Sequence, residues 1–218
     1  MSAKFTHARV AVLCISLALL CLAAGATAWH LYVARKWQQS ESLILLPEPR
    51  IIADFNLVDQ RGEPFSLEQF KGHWSLLFFG FTACPDACPN TLYQLQQARK
   101  LMLNEEDASQ IPQIYFVSID PERDTPQKLA AYLGYFDPAF TGLTGENAQL
   151  NALALQLGVA HFVEPHEPGD AEYTVDHSAS LLLLNPDAKL QGVLPAAQEA
   201  ALIAQAVMTV IRQGRSAP

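Results

Sequence analysis

The sequence predicts an α/β sandwich built on a mixed β-sheet. From residue 51 onward, short apolar runs alternate with stretches of helical period, and clusters of Gly, Pro, Asn and Asp separate them. With 218 residues, half of them hydrophobic, the chain is long enough for one packed domain plus an appendage.

Taken in order, residues 51–58 alternate as a strand, Gln60-Arg61-Gly62 supplies a turn, and Ser66 with Glu68 and Gln69 opens a short helical turn. Residues 74–81 are apolar and aromatic, a buried strand, although periodicity by itself also admits a helix. From Pro89 to Leu103, the leucines at 92, 95, 101 and 103 stand among Gln, Arg and Lys, the pattern of a helix with one face on a sheet. Residues 114–119 read as a strand. Thr125-Pro126 is an N-cap and first-position proline for a helix to about Phe136, and Gly145-Glu146 opens another that ends near Gly158. Residues 159–163, 173–175 and 180–184 are strands, Asn185-Pro186-Asp187 is a turn, and residues 195–212 form the last helix.

The N-terminal part differs in kind. Residues 10–29 carry no charge and are long enough to cross a hydrocarbon core of about 30 Å, which predicts a transmembrane anchor. A cleaved signal peptide is the alternative, given the basic start at Lys4 and Arg9 and the small residues Ala26-Thr27-Ala28. Cys14 and Cys21, each after a leucine, read as apolar filler. The predicted organisation is therefore residues 1–9 as a short terminus, 10–29 as the anchor, 30–50 as a tether containing Pro47 and Pro49, and 51–218 as the folded domain. Flanking charge leaves orientation open, because Arg35 and Lys36 balance Lys4 and Arg9.

Residues 1–36 hold four of the 14 Lys and Arg and none of the 22 Asp and Glu, so the remainder has ten bases against 22 acids, a net of −12. That argues against a nucleic-acid binder and fits either basic docking surfaces or simple solubility. Only two cysteines lie beyond the anchor, so no disulfide scaffold holds the domain together.

Those two carry the chemistry. Cys84-Pro85-Asp86-Ala87-Cys88 leaves the strand at 74–81, and Pro89 fits a first helical position, which puts Cys88 near an N-cap where backbone donors favour a thiolate. If the segment is turn-like, the two Cα atoms lie about 6 Å apart, within disulfide reach. Two thiolates on one metal need sulfurs about 4 Å apart, against about 2 Å in a disulfide, so oxidation and metal loading exclude each other. Either a redox pair or a metal site fits, with paired core cysteines as the plain structural alternative.

Among six histidines, His7 and His30 flank the anchor, and His73, His161 and His166 read as solvated. His177 stands in Val175-Asp176-His177-Ser178, at the mouth of the strand at 180–184. Were that strand antiparallel to residues 74–81, His177 would face the cysteines across 89 residues of sequence. Two thiolates and an imidazole suit Cu(I), whereas Cu(II) would want a further oxygen; zinc is also admissible. Asp176 is a candidate to orient the imidazole. Asp120-Pro121-Glu122-Arg123-Asp124 ends a strand where sites gather, or serves as a salt-bridged loop leading into a helix.

Three segments, Gly80 to Pro89, Val117 to Thr125 and Tyr173 to Ser178, together resemble the Sco/SenC family over about residues 50–212, with the anchor. The resemblance implies a thioredoxin-like fold with an inserted hairpin and copper held by Cys84, Cys88 and His177. It implies assembly of the dinuclear copper centre of cytochrome c oxidase, with the N-terminus cytoplasmic, a single-pass anchor in the inner membrane and the domain in the periplasm. Expected partners are the copper-accepting oxidase subunit, other copper chaperones or thiol reductants, and the bilayer. Ala83 stands where members often carry a polar or aromatic residue. A second expectation is a thiol-disulfide oxidoreductase that reduces the acceptor's cysteines through Cys84 and Cys88; a third is a peroxiredoxin-like peroxidase.

Overall fold

The computed structural model describes residues 15–16, 19–30, 43–167, 169–170, 173–196 and 198–216. Two units divide the chain, Met1–Glu41 and Ser42–Pro218. In the first, residues 19–30 are helical and exposed. Among the described residues no helix is long and apolar enough to cross a membrane. The segment 1–9, part of the stretch 10–29, and residues 31–42 of the expected tether lie outside the described residues.

In chain order the second unit contains β1 (Ile44–Arg50), β2 (Leu57–Asp59), β3 (Pro64–Phe65), a 3-10 turn at Leu67–Phe70, β4 (Ser75–Gly80), α1 (Ala87–Glu105), β5 (Gln113–Ser118), α2 (Pro126–Gly134), β6 (Thr141–Thr144), α3 (Asn147–Leu157), β7 (His161–Val163), β8 (Val175–His177), β9 (Ser180–Leu184), β10 (Leu190–Pro195) and α4 (Ala200–Ser216). Eight strands form one sheet in the order β1-β10-β9-β4-β5-β6-β2-β3, while β7 and β8 form a separate two-stranded ribbon. β4 pairs parallel with β5, and β5 with β6; the remaining pairs are antiparallel. The sheet is mixed, as the alternation of elements predicts.

Every residue of β4 is buried, which places that strand at the centre with helices over both faces. Gly142 in β6 admits α2: a Cβ there would lie 2.9 Å from Leu133 Cδ1 and 3.1 Å from Leu129 Cβ.

Four expectations need correction. The tether does not run to residue 50, because Ile44–Arg50 joins the sheet at its edge. Its pairing with β10 is interrupted between Leu45 and Arg50, the stretch that holds both prolines, and an edge strand tolerates their missing donors. Of the strand predicted at 51–58, only its end is strand, within Leu57–Asp59, since the amides of Ala53 and Asn56 donate to the Gln156 and Gln149 side chains of α3 rather than to a neighbouring strand. The last helix starts at Ala200, not 195, because Leu190–Pro195 returns as β10 beside β9. Residues 173–175 give way to Val175–His177 as the strand, so His177 lies within the ribbon.

Candidate metal centre

β9 runs antiparallel to β4, with Phe78 opposite Leu181, so the end of β4, the end of β5 and the start of β9 share one margin of the sheet. Sites on open α/β sheets form beyond the strand ends in this way. Past Gly80 the chain turns, and buried Asp124 fixes the turn. Its carboxylate accepts the Thr82 amide at 3.0 Å, the Thr82 hydroxyl, and the Ser118 hydroxyl at 2.7 Å from the end of β5.

α1 begins at Ala87 with Asp86 as N-cap, two residues earlier than Pro89 suggests, which puts Cys88 inside the first turn. The Cys88 amide, free of an intrahelical partner at this position, donates to Cys84 Sγ at 3.3 Å. Helix-start donors therefore serve Cys84. Cys88 is fully buried, and burial pushes its thiol up rather than down, contrary to the expectation of a depressed value. Gly80 makes the room: a Cβ on it would stand 2.8 Å from Cys88 Sγ and 2.8 Å from the Phe116 ring.

His177 comes from β8. Its Nε2 lies 3.5 Å from Cys88 Sγ, and its Nδ1 donates to the Ser178 carbonyl at 3.3 Å. That second bond selects the tautomer with a bare Nε2 facing the sulfur. Burial holds the imidazole below its ordinary value, so it stays neutral and able to ligate near pH 7. Phe78 and Phe81 flank the ring at 6.2 and 6.1 Å between centroids. The donor atoms of Cys84, Cys88 and His177 all lie within 4.8 Å of one another, and the described cysteines are free thiols. This spacing suits a shared metal ion and exceeds a disulfide bond.

The predicted ligands thus converge, while the other described histidines do not join them. His73 meets the Tyr115 hydroxyl at 3.1 Å, His161 meets Asn151 Oδ1 at 2.7 Å, and His166 meets Glu122 Oε2 at 3.1 Å; none is simply solvated. His30 lies in the helical stretch of the first unit, and His7 is outside the described residues. Asp176 does not orient the imidazole: it is exposed, and Ser178 supplies the acceptor instead. Asp120 and Asp124 are buried scaffold groups, Asp120 pairing with Arg123 and accepting from the Tyr173 hydroxyl. Sequence reasoning missed Gly80, Thr82, Ser118 and Ser178 as the residues that shape the site.

An α/β domain with two thiols and one neutral imidazole at the margin of its sheet belongs to the class of soft-metal-binding proteins. Comparison sharpens this. A family model described as SCO1/SenC matches residues 45–212, and the chain belongs to that family. It is 45% identical over 153 residues to a protein of Stutzerimonas stutzeri named for copper binding, covering 69% of this chain and 72% of that one. It is 36% identical over 163 residues to the mitochondrial SCO2 homolog of Mus musculus, covering 73% of this chain and 63% of the mouse protein. Among solved structures, Arabidopsis thaliana ScoI with copper bound aligns at TM-score 0.68 and 30% identity, over 74% of this chain and 98% of that one. Yeast Sco1 with copper bound aligns at 0.68 and 28%, over 78% and 91%.

Proposed function

We propose that this protein is a membrane-tethered copper chaperone that delivers copper to a cytochrome c oxidase subunit for assembly of its dinuclear copper centre. The observation that carries the reading is the convergence of Cys84 Sγ, Cys88 Sγ and His177 Nε2 within 4.8 Å, a donor set of the softness that holds Cu(I). Relatives solved with copper bound support the choice of metal. Residues 10–29 serve as a single-pass anchor, with the domain on the periplasmic side; the family resemblance and the uncharged stretch support this, and protease protection in spheroplasts tests it.

Ligand exchange suits the geometry. Cys84 is partly exposed, so an incoming thiolate from the acceptor can reach copper there while fully buried Cys88, with His177 beside it, still holds the ion. Copper titration of the reduced and the oxidised domain tests the reading: one copper per reduced chain and none after disulfide formation is expected. Unchanged affinity in His177→Ala would remove the histidine from the site.

The same exposure asymmetry favours a second reading, thiol-disulfide exchange with the acceptor. Cys84 as thiolate attacks an acceptor disulfide and releases one acceptor thiolate; Cys88 then resolves the mixed disulfide, leaving Cys84–Cys88 oxidised and the acceptor reduced. That activity would proceed without metal and survive His177→Ala.

A further inference from the structure

The imidazole donor does not sit on the main sheet. His177 belongs to the β7–β8 ribbon, which forms no ladder with the eight-stranded sheet among the described residues. Beyond the two-residue link to β9, where the Ala179 carbonyl accepts from the Ala196 amide, its position relative to the cysteines depends on side-chain fastenings. The most extensive of these centres on Arg123.

Arg123 lies between two rings. Its guanidinium carbon is 3.6 Å from the Tyr173 ring centroid and 5.6 Å from that of Phe81. Nη1 donates to the Tyr173 carbonyl at 3.0 Å, and Nε pairs with buried Asp120, which also accepts the Tyr173 hydroxyl. His166 closes the outer side of Tyr173, stacked at 3.6 Å with an interplanar angle of 8°. On the inner side, Phe81 meets the His177 ring edge-on at 6.1 Å and 83°. Tyr173 precedes His177 by four residues, and Phe81 precedes Cys84 by three. Arg123 thereby joins the arm that carries the nitrogen donor to the arm that carries the sulfurs.

We propose that Arg123 is a positioning residue for His177, setting the separation between the imidazole and the thiol pair through its stack with Phe81 and Tyr173. A planar fork fits this slot while bonding edge-on to Asp120 and to the Tyr173 carbonyl. Lysine keeps the charge but cannot lie flat between two rings. The proposal rests on the copper-binding reading for its affinity arm only; its second arm uses metal-free protein.

The experiment compares wild type, Arg123→Lys, His177→Ala and the double variant by Cu(I) competition with a chromophoric chelator. Amide deuterium exchange over residues 173–177 is measured on the metal-free proteins. Arg123→Lys is expected to weaken copper about ten- to a hundredfold, the range for residues that orient a ligand. The double variant should bind no more weakly than His177→Ala alone, because Arg123 acts through that ligand. Exchange over 173–177 should quicken in Arg123→Lys. Wild-type affinity in Arg123→Lys, or a loss that adds in full to that of His177→Ala, overturns the proposal. If Arg123→Lys does not fold, Tyr173→Leu, which removes one ring and leaves the Arg123–Asp120 pair, must show the same non-additive loss. Should wild type bind no copper, the functional reading falls, and the exchange comparison still decides the role of Arg123: equal rates refute it.

Discussion

Gly80→Ala places a methyl group against the sulfur of the candidate site. Gly80 is buried in the last position of β4 with no positive φ, so the backbone accepts alanine and the cost is packing alone. The new Cβ would stand 2.8 Å from Cys88 Sγ and 2.8 and 3.2 Å from two atoms of the Phe116 ring. Ordinary contact begins near 3.4 Å, so both neighbours must yield by about 0.6 Å, and both are fully buried. Overpacking of this kind costs about 1–3 kcal/mol, offset by about 0.4–1 kcal/mol from the stiffer unfolded chain, for a net loss of about 1–2 kcal/mol. In a domain of this size that lowers the melting temperature by roughly 2–8 °C. Cys88 is the lighter obstacle and moves relative to His177 Nε2, now 3.5 Å away, so copper affinity falls as well. Thermal melting of the reduced, metal-free protein and chelator competition measure the two effects. Adding Phe116→Leu should recover part of the stability by removing the ring. A Gly80→Ala variant that melts and binds like wild type refutes the packing argument.

Asp124→Ala strips two hydrogen bonds from the turn before Cys84 and a third from Ser118 at the end of β5, and should cost roughly 3 kcal/mol by chemical denaturation. The apparent Cu(I) affinity should rise with pH by at least about tenfold per unit between pH 6.5 and 8.5, because burial keeps the Cys88 proton on and copper must displace it; a flat profile would contradict this. Burial holds His177 below the ordinary histidine value of about 6.5, so its share of folding stability is complete above that pH and is lost as pH falls through its folded value, an acid-side loss that His177→Gln should abolish. His166 has the opposite sign. Its bonds to the Glu164 carbonyl and Glu122 raise it, so the ribbon's amide protection factors, with the intrinsic pH dependence of exchange divided out, should be higher at pH 5.5 than at pH 8, and His166→Gln should erase that difference.

Much of the site could be read from the chain. Cys84 and Cys88 announce themselves by spacing and by the helix that follows, and the placement of His177 follows once the strand at 180–184 is set antiparallel to β4, as it is. What escaped depends on contacts without sequence period. The Arg123 stack joins residues 42 and 50 positions apart, and Gly80 matters only because Phe116 and Cys88 converge above it. In the fold, β1 was hidden by its two prolines, and β6 and β10 by Gly142 and Gly192, which interrupt apolar runs that tertiary pairing nonetheless straightens. Asp176 misled because neighbours on a strand point to opposite faces.

The two outermost strands of the sheet share a property that bears on how other proteins approach it. β1 contains Pro47 and Pro49, and β3 contains Pro64, so neither rim offers an unbroken row of amide donors. Strand addition is closed at both rims, to a second copy and to a client peptide alike. Another chain that meets the main sheet at these rims must then be recognised through side chains and loops, without a shared backbone ladder to hold it.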